Sequence, residues 1–394
     1  MNRHQRCGLV VALTTVLICG CQNSISPGSG GSAPPPPPPP PPPGGSTPVR
    51  FLAMGDAGSI LLNSVTDPTE GMGQAEAVAA LAEKVCALRG CDFGFMAGDN
   101  IYETGVVSEA DPLFQAVFEL PYVNFDMPFF MALGNHDNSN TFIGEGDNNA
   151  KGDFEVDYHY SPFNSGKWVM PDRYYSVRWP AEATEPMLEL FVMDSSPISH
   201  FFDDPSPLWS GAMLETYIAD QMAFLQDGLA ASPARWKFAM AHHPYISNGE
   251  HGNAGEYDAD ASPDPCTVTG PFASASCRGA DFKSFVENTI CDKADVYFSG
   301  HDHNLYWMNP VGSCGKTHHI LSGAASKARA NHAPERNPAF YQSPDMQFGF
   351  FWIELNGDVF TGAAYTMSDD GEPGNTDADG NPAPAFEMSF TRTP

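Results

Sequence analysis

The sequence predicts an α/β domain with a central sheet, running from Val49 to the end of the chain. Two observations carry this expectation. Short apolar runs alternate with amphipathic stretches, the strand, helix and strand rotation of α/β proteins. Five of the runs also end in a small residue followed by Asp, Asn or His. Ligands of open α/β sheets gather at the carboxyl ends of their strands, so these five ends are expected to share one crevice.

The first 48 residues stand apart. Residues 1–21, MNRHQRCGLVVALTTVLICGC, begin basic and run apolar from Cys7 to Gly20. A membrane span needs about 20 residues, so this shorter run reads as an export signal. Its ending, ICGC, is similar to a bacterial lipoprotein cleavage box. That implies a lipid on Cys21, with the domain anchored to a membrane and held in the periplasm or outside the cell. Residues 22–48 are rich in Gly and Ser around ten consecutive prolines, Pro34–Pro43. Ten prolines in a polyproline II rod span about 31 Å at about 3.1 Å per residue, which makes a hinged spacer.

Residues 49–394 form the domain, with no second linker and no internal repeat. The expected strands are VRFLAM, DFGFMA, PFFMAL, LELFVM, WKFAMA, DVYFS and HHILS. The stretches QAEAVAALAEKVCAL, DQMAFLQDGLA and DFKSFVENTI space their apolar residues as helices do. FGFFWIELNGDVFTGAAYTM reads as two strands joined at Asn356-Gly357, a hairpin signal. In the tail, Asp377, Asp379 and Asn381 have calcium-loop spacing but lack the distant bidentate Glu, so the segment is expected to be a turn.

Charge narrows the function classes. The formal net charge is −29, and removal of Arg3 and Arg6 with the signal takes the mature chain to about −31. A surface this acidic disfavours coating by nucleic acid. It also repels an anionic substrate unless bound cations reverse the field locally, which points to metal. Of nine cysteines, six lie in the domain: Cys86, Cys91, Cys266, Cys277, Cys291 and Cys314. An even count in an exported chain suits three disulfides, and six cysteines allow 15 pairings among which the sequence does not choose.

The strand ends supply the chemistry. VRFLAM is followed by GDAG with Asp56, and DFGFMA by GDNIY with Asp99 and Tyr102. PFFMAL is followed by GNHD with Asn135 and His136, WKFAMA by HHP with His242 and His243, and DVYFS by GHDH with His301 and His303. One such end alone is an ordinary turn, and a tyrosine beside it ordinarily packs. Five in order are a ligand set. Its mixture of oxygen and nitrogen donors, with no thiolate, suits iron, manganese or zinc. A carboxylate can bridge two cations, a recurring device for phosphoester hydrolysis.

The order GDAG, GDNIY, GNHD, AHHP, GHDH resembles the calcineurin-like metallophosphoesterases, and Tyr102 narrows the likeness to the purple acid phosphatases. AGDNIYETG, MDSSP, NGEHG and ILSGAAS look like the small, tartrate-resistant type, and the likeness covers Phe51 to Tyr365. It implies a doubled sheet in a four-layer α/β/β/α sandwich. It further implies a ferric ion on Asp56, Asp99, Tyr102 and His303, and a divalent iron, zinc or manganese on Asp99, Asn135, His242 and His301, with Asp99 as the bridge. His242 is the implied ligand of AHHP because it stands two residues before the proline. His136 and His251 match positions near the leaving group, where a general acid would work.

The expected activity is attack of a metal-bound hydroxide on a phosphate monoester, carried by a small molecule or a phosphoprotein. Two alternatives are a phosphodiesterase on the same metal pair and a non-catalytic metal- or surface-binding lipoprotein. The oligomeric state is left open. Two inserts, GEGDNNAKGDFEVDYHY and FDDPSPLWSGAMLE, are expected to roof the pocket.

Overall fold

The computed structural model describes residues 48–59, 70–141, 143–199, 204, 206–260, 277–368 and 371–393. The expected export signal, the spacer, Cys21 and Cys266 lie outside the described residues. In chain order the strands are β1 (Val49–Met54), β2 (Phe93–Met96), β3 (Phe129–Met131), β4 (Trp168–Val169), β5 (Tyr175–Trp179), β6 (Leu188–Val192) and β7 (Trp236–Met240). There follow β8 (Val296–Ser299), β9 (Leu305–Met308), β10 (His318–Ser322), β11 (Ala339–Gln342), β12 (Phe348–Asn356), β13 (Val359–Met367) and β14 (Phe386–Thr391). The helices are α1 (Glu70–Arg89), α2 (Gly152–His159), α3 (Ser196–Ser199), α4 (Gly211–Ala231) and α5 (Ala280–Thr289).

These strands make two sheets where periodicity alone suggested one central sheet. One runs β14-β13-β12-β1-β2-β3-β4 and the other β11-β9-β10-β8-β7-β6-β5. The first is parallel from β1 to β4, and the second from β6 through β7 and β8 to β10. The sheets pack face to face through aromatic rings. Phe51 of β1 lies 6.2 Å from both Phe238 of β7 and Phe298 of β8, and Phe360 of β13 lies 5.4 Å from Trp307 of β9. On the outside, α1 buries Val78, Leu81, Ala82 and Val85, one helical face, and Arg89 stacks 3.7 Å over Trp352 of β12. The second sheet is covered by α4 and α5, whose Leu225, Leu229, Phe282 and Phe285 join one buried cluster with Phe191 and Tyr297. The result is the four-layer α/β/β/α sandwich.

The hairpin turns one residue later than its sequence signal. Asn356 pairs with Val359, so the two-residue loop is Gly357-Asp358. Gly357 supplies a φ of 60°, the positive value that a two-residue loop needs to match strand twist. Disulfides Cys86–Cys91 and Cys291–Cys314 fasten the ends of α1 and α5. In the tail, Asp377 accepts the backbone N–H groups of Asp379 and Asn381, both at 2.9 Å, which is a turn as expected.

The carboxyl ends of β1, β2, β3, β7 and β8 meet at one edge of the sandwich. Backbone bonds stitch the loops there: Asp56 N–H to Gly98 carbonyl at 2.9 Å, Ala132 N–H to Met96 carbonyl at 2.8 Å, and Gly300 N–H to His242 carbonyl at 2.9 Å.

Candidate metal centre

Each strand end turns sharply to present its side chain. Asp56, Asp99 and His301 take positive φ angles of 57°, 50° and 73°, a conformation that non-glycine residues adopt at a cost of roughly 1–3 kcal/mol each. Neighbouring glycines leave the space they need. A Cβ on Gly134 would lie 2.1 Å from Asp99 Oδ1, and one on Gly300 would lie 2.4 Å from Asp56 Oδ2.

The seven residues expected as ligands fall into two groups. In the first, Tyr102 Oη lies 2.8 Å from Asp56 Oδ1 and 3.2 Å from His303 Nε2, and His303 Nε2 lies 3.5 Å from Asp56 Oδ1. In the second, His301 Nδ1 lies 3.1 Å from Asn135 Oδ1 and 3.2 Å from His242 Nε2. Asp99 Oδ2 lies 3.3 Å from His242 Nε2. Ligand atoms of Asp56, Asp99 and His242 all lie within 4.8 Å of one another. Metal–ligand bonds of about 2.0–2.2 Å place neighbouring ligand atoms roughly 2.8–3.6 Å apart, so both groups have the dimensions of a coordination shell.

Surrounding bonds fix which atom each ligand offers. His242 Nδ1 lies 2.8 Å from the Ala97 carbonyl, an acceptor only, so it carries the proton and leaves Nε2 bare. Asn135 donates Nδ2–H to the Gly144 carbonyl at 2.6 Å, which turns Oδ1 toward His301. His243 faces away, with Nδ1 2.8 Å from Ser195 Oγ. Asp137, which sequence reasoning did not assign although it closes the GNHD motif, accepts N–H bonds from Gly134 at 2.8 Å, Ile101 at 2.9 Å and Asn100 at 3.2 Å. It thereby ties the Asp99–Tyr102 loop to the Asn135 loop.

The electrostatics call for a cation. Burial pushes the Asp56 carboxyl up to about 8, and the Asp99 charge adds to the rise. Burial alone would lower His242, but the Asp99 carboxylate outweighs it and lifts the imidazole to about 9. Burial and the Asp56 and Asp99 charges hold the Tyr102 phenol well above its usual range. His301 and His303 are held well below theirs, chiefly by burial. Bound cations would oppose the rises at Asp56, His242 and Tyr102 by favouring the deprotonated ligand, the form in which burial already holds His301 and His303.

Residues 49–305 match the family described as calcineurin-like phosphoesterase. The chain belongs to that family. With its fold and its clustered Asp56, Asp99 and His242, this metallophosphoesterase is a hydrolase of phosphoric ester bonds. Tartrate-resistant acid phosphatase type 5 of Sus scrofa is 26% identical to it over 324 residues, 78% of this chain and 81% of the relative. Purple acid phosphatase 3 of Arabidopsis thaliana is 28% identical over 244 residues, 60% of this chain and 55% of the relative. Two solved structures share the fold. GAP50, the anchor in the inner membrane complex of Plasmodium, has a TM-score of 0.60 at 16% identity, over 88% of this chain and 90% of that one. A purple acid phosphatase from yellow lupin seeds has a TM-score of 0.52 at 16% identity, over 89% of this chain and 55% of that one.

The metallophosphoesterase cleft beside these ligands has a volume of about 420 Å³ and includes His136 and His251 in its wall. His136 packs on the Tyr102 ring, centroids 4.4 Å apart, and its Nδ1 lies 2.6 Å from the Glu103 carbonyl. His251 packs on His301 at 4.3 Å, with Nδ1 2.9 Å from Asp258 Oδ1. Burial works against its charge, but the Asp258 hydrogen bond and the Asp302 charge hold His251 above the usual imidazole value. Of the two inserts, the first contributes Gly144 and Glu145 to the wall, whereas no described residue of the second lies there. The second instead offers Asp204, whose carboxylate accepts the Asn149 N–H at 2.7 Å. Lys327 and Arg329, also in the wall, follow the ILSGAAS motif but carried no signal of their own.

Proposed function

We propose that the protein is a binuclear, purple acid phosphatase-like enzyme that hydrolyses phosphate monoesters. The observation that carries the reading is the division of the ligand atoms into two shell-sized groups with Asp99 beside both. The Tyr102 group suits a ferric ion, because a hard trivalent cation holds a phenolate, and the His242 group suits divalent iron, zinc or manganese. Two cations held there would neutralise the phosphate oxygens and activate water for in-line attack. The chain's own part is to orient and to move protons. His136 has Nδ1 engaged on the Glu103 carbonyl, which leaves Nε2 as the atom to protonate the leaving oxygen, and His251, held by Asp258 at Nδ1 with Arg329 Nη1 3.5 Å from Nε2, stands beside it to assist. The net charge of −29 disfavours coating by nucleic acid, and the apolar amino-terminal run ending in ICGC supports export and anchoring through a lipid on Cys21.

The test is turnover of matched alkyl phosphate mono- and diesters by metal-loaded protein. The reading expects monoester turnover to dominate. Preferential diester turnover would replace it with a phosphodiesterase on the same centre, and no turnover of either would leave a metal-binding lipoprotein. Iron is tested by a visible phenolate-to-iron absorption that Tyr102→Phe removes; a colourless, active, iron-free protein would contradict it.

A further inference from the structure

Among the described residues, the charged groups of the cleft wall outside the ligand set are paired, with one exception. Lys327 Nζ lies 3.0 Å from Glu103 Oε1 and sits over the Tyr102 ring at 3.6 Å. Arg329 Nη1 lies 2.6 Å from Glu250 Oε2, and Asp258 is held by His251 at 2.9 Å. Glu145 is the exception. Its Oε2 is buried and has no hydrogen-bond partner among the described residues. The residue is fixed in place by its neighbour: Gly144 gives its carbonyl to the ligand Asn135, and a Cβ on Gly144 would lie 2.8 Å from His136 Nε2. On its other side, Glu145 feels the charges of His251 and Asp258. It therefore shares the wall with His136 and His251, the two histidines that the monoesterase reading sets beside the leaving group.

A carboxylate oxygen buried without a donor is unfavourable, and in the half-buried Glu145 desolvation together with the Asp258 charge pushes the group up to about 7. The insert carries this cost although the His251 charge works against it, and no side chain among the described residues donates to Oε2. The donor that relieves it has to arrive with whatever fills the cleft. A cation is favoured over a neutral donor, because Lys327 and Arg329 are already engaged and the protein as a whole carries a net charge of −29.

We propose that Glu145 is a specificity-determining residue that receives an ammonium group on the leaving group, so that the preferred substrates are phosphomonoesters of amino alcohols. The inference rests on the monoesterase reading and names its substrate class. Its test compares kcat/KM for 2-aminoethyl phosphate and propyl phosphate, which match in length and differ in charge, in one metal-loaded preparation. Taking the ratio within a preparation cancels metal content and folded fraction. The expected ratio is about 10- to 100-fold in favour of the amine, the worth of a hydrogen bond to a charged group, and Glu145→Gln should bring it to about one. A ratio near one in the unmodified protein, a ratio that survives Glu145→Gln, or an equal preference for 2-hydroxyethyl phosphate would overturn the proposal while leaving the phosphatase intact. Failure to hydrolyse any of these esters, with metals bound, would instead remove the monoesterase reading on which it stands.

Discussion

His136 lies against the Tyr102 ring and His251 against His301, one beside each half of the ligand set. If they protonate the leaving oxygen, their loss hurts substrates in proportion to how poorly that oxygen leaves. His136→Ala should cost about 10²-fold or more on an alkyl monoester and clearly less on a nitrophenyl ester, with His251→Ala weaker in the same direction. Equal losses on both esters, with metal content intact, would make these histidines phosphate binders. The ligands also set a pH signature in metal-stripped protein. Asp56 rises from 3.8 to about 8 and His242 from 6.5 to about 9, so both favour the folded state when protonated and lose that contribution as pH rises through those values. Below 6.5 the depressed His301 and His303 pull the other way, because the unfolded chain then takes up their protons. The clean window is therefore about pH 6.5 to 9. Across it, the gap in Tm between metal-loaded and stripped protein should widen with pH; a flat gap would contradict the assignment. The residues expected as ligands were legible in the sequence because each lies at or just after a strand end. Glu145 was not, since an unpaired acid in an insert looks like any solvated charge until its surroundings are known.

At the scale of elements, α2 and the loop before it are held down by a long-range ion pair that no local pattern announces. Arg173 is 6% exposed and bonds to Asp194 at 2.9 Å, to the Asn149 carbonyl at 2.7 Å and to Asn138 Oδ1 at 2.9 Å. Removing it leaves the fully buried Asp194 with Tyr217 as its remaining side-chain donor, at 2.9 Å. Arg173→Ala should destabilise the fold by about 3–5 kcal/mol in urea unfolding, the cost of breaking a buried pair from one side. A loss under about 1 kcal/mol would show the clamp to be dispensable. The expected strands with apolar runs all formed, because burial on both faces leaves a contiguous signal. Shorter and edge strands carried less. β14 alternates between half-buried and exposed residues along FEMSFT, and β9 follows the GHDH motif so closely that the ligands drew the reading. α4 begins at Gly211, nine residues before its predicted start, because its first turns are only half-buried at Leu214, Tyr217 and Ile218, while the fully buried Gln221, Leu225 and Leu229 lie in its second half.

For the whole molecule, the doubling of the sheet was legible only through the resemblance, because a strand buried between two sheets and one buried under helices have the same composition. The amino-terminal segment bears on location. Lipid on Cys21 would anchor a domain that anionic headgroups repel, so Cys21→Ala should release the protein from membranes, and a variant that still sediments after a high-salt wash would refute the anchor. The central claim is that one carboxylate, Asp99, serves two metal shells. Metal analysis of purified protein against Asp99→Ala tests it most directly. The account predicts about two metal ions per chain in the unmodified protein and loss of both in Asp99→Ala, whereas Asp56→Ala should mainly empty the Tyr102 shell. One metal per chain at saturation, or an Asp99→Ala variant that loses a single site and keeps the other filled, would contradict it.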